Sequence, residues 1–193
     1  IIKVSKDGSK SEIMAGGFRA PNGLLVNDDG TFIMSDQEGH WIPKNKINWV
    51  KPKNFYGAMG AYHSPDRRPS DFEEPICYIH NKVDRSPAEQ LWVTSEKWGP
   101  LSGALLSFSY GYGTVFNVLY EDVGQVKQGG VVQIPVKEFP TGVMRGRFHP
   151  DDDGLYVCGL FGWSSNKTFP GGFYRIRYTG KPLHVPTKLN ATK

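Results

Sequence analysis

The sequence has little cysteine, and what it has does not form a recognisable site. Of its 193 residues only two are cysteines, and neither Cys77 nor Cys158 lies in a C-x-x-C or C-x-x-C-H pattern. This spacing excludes a zinc site of the usual kind and a c-type haem attachment motif within the chain. A Cys77–Cys158 disulfide and two free, partly buried thiols both remain open.

The sequence also lacks long hydrophobic runs. None is longer than five residues, whereas a transmembrane helix needs about 20, so no membrane span is expected. No charged segment followed by an apolar one precedes the first strand-like run, Ile1–Val4. We expect either that a leader has been removed or that the chain is a piece of something longer.

Charge of one sign is nowhere concentrated. Lys and Arg number 23 against 19 Asp and Glu, which gives a net charge of +4. The charges are scattered, and no five like charges occur in a row. A basic arm for nucleic acid is therefore not expected.

Turn-forming residues and short apolar runs are abundant instead. The chain holds 23 Gly and 14 Pro, which suits many short strands joined by tight turns. No stretch of ten residues has a helical period, and the fold class predicted is all-β. The predicted strands are Ile1–Ser5, Gly23–Asn27, Thr31–Ser35, Ile76–His80, Gln90–Ser95, Ala104–Tyr110, Thr114–Tyr120, Val131–Pro135, Val143–Phe148, Leu155–Leu160 and Phe173–Tyr178.

Similar strands recur at long intervals. Phe32–Asp36, Leu91–Ser95 and Leu155–Gly159 resemble one another, and their first residues lie 59 and 64 positions apart. Repeats of this kind favour a radial array of four-stranded sheets, a β-propeller.

The chain is too short to close such a ring. At about 60 residues per blade it supplies about three to three and a half blades, whereas propellers close with roughly 4–8. We therefore expect residues 1–193 to be part of a larger propeller, completed by missing sequence, another chain or self-association. The alternative is an open sandwich or barrel.

Two arginines stand in one predicted inner strand. Arg145 and Arg147 are at positions i and i+2, so both side chains point to the same face of the strand. Paired guanidiniums suit a carboxylate, a phosphate or the carboxylates of a quinone cofactor. The alternative is a structural pairing of one arginine with an acid such as Asp36 or Asp151.

Acidic and aromatic side chains follow the equivalent strands. Oxygens of Asp36 and Glu38 are candidate calcium ligands, and Trp41 and Trp163 are candidate platforms for a sugar substrate. Turn capping by Asp36 and packing between blades explain the same residues, as they do for Trp98. His63 lies in a long Gly/Pro loop and is a candidate general base.

The wording of several motifs resembles a known family. The first stretch runs from Phe18-Arg19-Ala20-Pro21-Asn22-Gly23 through Met34–Gly39 to Asn54-Phe55-Tyr56-Gly57. Further stretches are Trp92–Pro100, Gly142–Phe148, Leu155–Leu160 and Gly171–Arg175. Together they look like the later blades of the glucose/sorbosone dehydrogenase-like propellers, the family of the soluble quinoprotein sugar dehydrogenases.

This resemblance implies a function for the complete propeller. It implies a periplasmic or secreted oxidoreductase for sugars or similar alcohols, with pyrroloquinoline quinone (PQQ) over the axis, assisted by calcium, and a c-type cytochrome as electron acceptor. Arg145 and Arg147 look like the late-blade arginines that hold the quinone, and the histidine base would belong to an earlier blade.

The alternative function is a non-catalytic binding or assembly module. A calcium-dependent lactone hydrolase of similar shape would need a carboxylate-rich axial metal site that the residues do not assemble.

Overall fold

The computed structural model describes residues 1–39, 42–61, 71–162 and 167–180. They form strands joined mostly by turns, with short 3-10 helices at Met59–Ala61 and Glu96–Leu101. The strands are β1 (Ile2–Val4), β2 (Ser11–Ile13), β3 (Leu25–Val26), β4 (Phe32–Asp36), β5 (Asn45–Val50), β6 (Cys77–Ile79), β7 (Pro87–Trp92), β8 (Leu105–Ser109), β9 (Val115–Val123), β10 (Val126–Gln133), β11 (Arg145–Phe148), β12 (Leu155–Leu160) and β13 (Gly171–Ile176).

The strands pair in chain order, each antiparallel to the next. β1 and β2 form a hairpin, β3 to β6 and β7 to β10 form two four-stranded sheets, and β11 to β13 form a three-stranded sheet. We call the last three sheets the first, second and third blades. Their first strands begin at Leu25, Pro87 and Arg145, which are 62 and 58 positions apart.

Each blade runs from a shared inner edge to the outside. The first strand of the second blade, β7, contacts β3 and β4 of the first blade and β11 of the third. At the opposite edge the last strands, β6 and β10, contact each other. This radial arrangement is that of propeller blades, and the alternative of an open sandwich or barrel is wrong.

The second blade is buried on both faces because alternate side chains of its strands point to opposite sides. Leu105 of β8 packs with Ile33 and Ile47 of the first blade. On the other side Leu106 and Phe108 pack against the third blade, in a cluster that includes Leu155 and Val157. The middle strand β8 is therefore buried along its whole length.

Every predicted strand overlaps an observed one, and Leu155–Leu160 has the predicted bounds. The prediction missed β2 and β5. In β5 the residues Asn45, Lys46 and Asn48 are buried, so the strand carries polar side chains where the sequence pattern leads one to expect apolar ones. Their partners lie in other segments of the chain, Asp36 for Lys46, Met34 for Asn48 and Asp84 for Asn45, so the pattern of the strand itself does not reveal them.

The repeat that suggested the propeller was aligned incorrectly. Phe32–Asp36 and Leu155–Leu160 are both second strands of their blades, but Leu91 and Trp92 belong to β7, which is a first strand. The second strand of that blade is β8. Because strands covered on both faces carry similar apolar runs, the resemblance of these runs does not identify the place of a strand in its blade.

Both cysteines are free, so the predicted alternative of a Cys77–Cys158 disulfide is wrong. Cys77 is buried in β6 of the first blade and Cys158 is exposed in β12 of the third. Burial raises the pKa of Cys77 to about 12, so its thiol stays protonated at neutral pH.

Among the described residues no helix is long and apolar enough to cross a membrane.

Two large apolar side chains provide a test of the packing between blades. Replacing Phe108, which is fully buried between the second and third blades, with alanine should lower the free energy of unfolding by about 3–5 kcal/mol. Leu119→Ala is the control, because that side chain of β9 is 53% exposed, and it should cost well under half as much. Urea unfolding followed by tryptophan fluorescence measures both, and equal losses would contradict the blade packing.

Candidate functional site

The first strands of the three blades meet along one edge, and polar groups join them there. The Ser35 hydroxyl at the end of β4 donates to the carbonyl oxygen of Ala88 at 2.6 Å and lies 3.0 Å from the carbonyl of Asn22. The backbone N–H of Ser35 donates to the side-chain oxygen of Gln90 at 3.0 Å. All these contacts lie in buried or part-buried surroundings, where each polar group needs a partner.

A buried carboxylate links the second and third blades at this edge. Glu89 of β7 is 7% exposed in its side chain and accepts hydrogen bonds from the Gly146 N–H at 3.0 Å and the Arg147 guanidinium at 2.7 Å. A buried carboxylate is costly unless it is paired and hydrogen-bonded. Both donors come from β11, so Glu89 and β11 depend on each other.

Arg145 reaches across to the first blade. Its Nη2 donates to the side-chain oxygen of Asn22 at 2.8 Å, and its Nη1 donates to the carbonyl of Met144 at 2.9 Å. Next to Asn22, Gly23 has φ of +90°, and a Cβ there would lie 2.4 Å from the Cα of Glu89. Only glycine lets the chain before β3 approach β7 this closely.

The two arginines lie on one face of β11, as their spacing predicts. Arg145 is opposite Cys158 in β12 and Arg147 is opposite Tyr156, and all four residues line a shallow groove of about 640 Å³ on the face turned away from the second blade. Neither arginine pairs with Asp36 or Asp151, the partners suggested as alternatives. The acid that pairs is Glu89.

The two guanidiniums differ in exposure. The Arg145 side chain is partly buried and held by Asn22, whereas the Arg147 side chain is 71% exposed although it is paired with Glu89. The hydrogen bond to Glu89 raises the pKa of Arg147 further, so its charge is permanent. Arg147 therefore presents a fixed cation at the inner edge, with N–H groups directed to solvent as well as to Glu89.

The predicted calcium ligands have different surroundings. The Asp36 carboxylate is fully buried, accepts the backbone N–H groups of Arg19 at 3.1 Å and Ala20 at 2.8 Å, and lies 3.3 Å from the Lys46 ammonium. Its charge is thus compensated by the protein. Glu38, by contrast, has a buried Oε2 without a hydrogen-bond partner. Within the described ranges no group of three or more His, Cys, Asp or Glu side chains is placed to hold a metal ion.

The other predicted site residues divide into two groups. Trp41, His63 and Trp163 lie outside the described residues, so their roles stay predictions. Trp98 is described and buried; its ring packs edge-on against Phe148 at 5.1 Å and its Nε1 donates to the carbonyl of Asp153 at 2.8 Å. Packing between blades explains Trp98.

Sequence reasoning missed Asn22 and Glu89, the partners of the arginines. Glu89 carries one usable signal: it is the one charged residue of β7, Pro87-Ala88-Glu89-Gln90-Leu91-Trp92, and a carboxylate in a buried strand needs a cation. Asn22 carries none, since a Pro-Asn-Gly sequence is explained by a turn alone.

Solved structures of sugar dehydrogenases have a similar fold. A soluble aldose sugar dehydrogenase from Escherichia coli in its apo form matches with a TM-score of 0.59 and 16% identity, over 91% of this chain and 49% of that chain. The PQQ-bound aldose sugar dehydrogenase from Streptomyces coelicolor matches with a TM-score of 0.55 and 15% identity, over 85% and 45% of the two chains. A glucose dehydrogenase matches with a TM-score of 0.60 and 16% identity, over 93% and 49%.

These likenesses concern the fold. No family model and no curated protein matches the sequence, and identities near 16% leave the chemistry open. The chain spans about half the length of the solved structures it matches. It is thus an all-β chain with the fold of about half of a soluble sugar dehydrogenase propeller.

Proposed function

We propose that this chain forms the later blades of a quinone-dependent oxidoreductase that acts on sugars or sugar-like alcohols in the periplasm or outside the cell. The observation that carries the proposal is the pair of guanidiniums of Arg145 and Arg147 at the inner edge of the blades. The fold shared with sugar dehydrogenase structures, one of them PQQ-bound, supports it.

The arginines fit an anionic quinone. PQQ carries several carboxylates, and a guanidinium binds a carboxylate through two parallel N–H···O bonds. Arg147 has N–H groups directed to solvent beside those that bind Glu89, and Arg145 lies two residues away on the same face. When bound, the quinone would supply the two-electron chemistry, while the chain's own residues bind and orient it.

Glu89 and Asn22 would hold the arginines ready for this ligand. A long arginine side chain loses rotamer freedom when it binds, and a guanidinium already fixed by Glu89 or Asn22 loses less of it on binding. Glu89 also fixes the N–H of Gly146 and with it the backbone between the two arginines. These two residues act through the arginines and are positioning residues.

The base, the sugar platforms, the calcium ligands and the electron acceptor are also part of the proposal, but the contacts of the arginines do not bear on them. His63 stays the candidate base of this chain, and the resemblance assigns the base to an earlier blade, which the other half of the propeller would supply. Trp41 and Trp163 stay candidate sugar platforms. Calcium at Asp36 would have to displace Lys46 and two backbone N–H groups, so Glu38 is the better of the two predicted ligands. A c-type cytochrome stays the proposed electron acceptor.

The second candidate is a non-catalytic binding or assembly module. The structural pairing of both arginines favours it, because Arg147 neutralises a buried Glu89 and Arg145 satisfies Asn22. Under this candidate the arginines join blades and bind no ligand. The two candidate functions predict different losses in arginine variants: loss of ligand binding under the first and loss of the folded state under the second.

Arginine substitutions decide between them. In the complete propeller, Arg147→Ala and Arg145→Ala should each weaken PQQ binding about 10- to 100-fold, because each removes charged hydrogen bonds worth about 1.5–3 kcal/mol. Quenching of tryptophan fluorescence by the quinone measures binding, and reduction of a dye with an aldose measures turnover. Arg177→Ala, at an exposed arginine beyond β13, is the matched control.

The second measurement is whether the arginine variants still fold. Under the oxidoreductase proposal the circular dichroism of the variants stays that of the wild type while binding falls. Variants that unfold, or a complete wild-type protein that neither binds PQQ nor reduces the dye, would support the assembly module instead.

The exposed ends of the blade stack predict association. On the third blade Phe173 is 71%, Phe169 57% and Phe161 51% exposed, and on the hairpin β1–β2 Ile2 is 64% and Ile13 73% exposed. Large apolar surfaces of this kind are usually covered in stable proteins. We expect the 193-residue chain to associate with the remaining blades or with a second copy, and Phe173→Lys to weaken that association. Sedimentation velocity at micromolar concentration measures it; a stable monomer would refute it.

A further inference from the structure

A second group of charged side chains lies away from the arginines, where the chain crosses from the first blade to the second. Residues 80–86 connect β6, the last strand of the first blade, to β7. Asp84 in this crossing is completely buried, and neither of its carboxylate oxygens accepts a well-formed hydrogen bond within the described part of the chain. Fully buried carboxylates without a partner are rare and need an explanation.

A third carboxylate oxygen without a partner lies near the other side of one buried amide, that of Asn45. Asn45, fully buried at the start of β5, donates from Nδ2 to the backbone carbonyl of Asp84 at 2.7 Å and accepts the backbone N–H of Glu38 at 3.0 Å. Glu38 lies in the loop from β4 to β5, and its Oε2 is buried without a partner. The Asn45 side chain thus brings two acidic residues from different segments to the same place.

The electrostatics of this place are unfavourable for the protein alone. Burial raises the pKa of Asp84 to about 7, which outweighs the lowering by the nearby Ser109 hydroxyl and the Arg85 backbone N–H, and the charge of Glu38 raises it further. Two carboxylates therefore oppose each other in a region with little access to water. Three carboxylate oxygens, two of Asp84 and one of Glu38, accept no well-formed hydrogen bond within the described residues.

We propose that Asp84 and Glu38 bind one calcium ion between the first and second blades. Hard cations take carboxylate oxygens, and calcium accepts a bidentate carboxylate and irregular geometry, whereas magnesium demands a near-ideal octahedron. The ion would neutralise both buried charges. It would also join the β4–β5 loop of one blade to the crossing that begins the next, so its expected effect is on stability. The proposal does not depend on the oxidoreductase function.

Asp36 is not part of this site. Although it is two residues from Glu38, its carboxylate is already bonded to Lys46 and to two backbone N–H groups. The site therefore differs from the Asp36–Glu38 pair that the sequence suggests. Asp84, which is 46 positions beyond Glu38 in the sequence, takes the place of Asp36, and only the fold brings it near.

Calcium-dependent thermal unfolding tests the proposal. The purified protein, stripped with a chelator at pH 8, is titrated with calcium chloride. The melting temperature should rise by about 5–10 °C when calcium exceeds its dissociation constant about 100-fold. Magnesium should give a smaller rise. Isothermal titration of the wild type with calcium should give one ion per chain.

Three variants make the test specific. Asp84→Asn and Glu38→Gln should lose most of the calcium-dependent rise, whereas Glu12→Gln, at an exposed acid in β2, should keep it. In chelator Asp84→Asn should melt above the chelated wild type, because it removes an uncompensated buried charge, so loss of the calcium effect is distinguishable from misfolding. If Asp84→Asn does not fold, Glu38→Gln and the titration of the wild type still decide.

Two results would overturn the proposal. One is a wild-type melting temperature that does not change up to millimolar calcium. The other is an equal rise in the wild type, Asp84→Asn and Glu38→Gln, which would place the ion elsewhere on the protein.

Discussion

The packing of blade against blade is the constraint on which the rest of this structure depends. A sheet that is apolar on both faces is stable only between two neighbours. The second blade meets this condition, since Leu105 packs against the first blade while Leu106 and Phe108 pack against the third. The third blade has only one described neighbour, and it exposes Phe173 and Arg147. Burial is thus greatest in the middle of the stack.

The inner edge shows what this packing does to charged residues. Three first strands converge there, so a polar or charged group that is buried at this edge must find its partner on the next blade. Glu89 finds Arg147 and the N–H of Gly146, and Arg145 finds Asn22. A guanidinium that is held by a neighbouring blade and has an exposed side can bind an anion. The same guanidinium also links two blades. The same geometry supports both candidates, and only ligand binding separates them.

The sequence predicts where the strands of this protein lie along the chain better than it predicts the position of each strand within its blade. Alternation and turn residues located nearly every strand, with β12 at its true bounds, because these signals are local. They failed at β5, where Lys46, Asn45 and Asn48 are buried against partners in other segments of the chain. The repeat was misaligned at Leu91 for a related reason, since a strand buried on both faces carries no mark of its position in the blade. The two arginines were placed on one face correctly because that needs only the two-residue period of a strand.

The partners of the site residues were beyond sequence reasoning for a physical reason. A charge on a strand indicates that a partner exists, but the partner is chosen by the approach of blades that lie about 60 residues apart. Glu89 and Arg147 are 58 positions apart, and Asn22 and Arg145 are 123 apart. Asp84 and Glu38 differ in this respect: the fold brings their backbones to one amide, and three of their carboxylate oxygens accept no well-formed hydrogen bond within the described residues. Where the other buried charges of this structure are compensated from within the chain, as Asp36 is by Lys46, this pair points to a compensating charge from outside it.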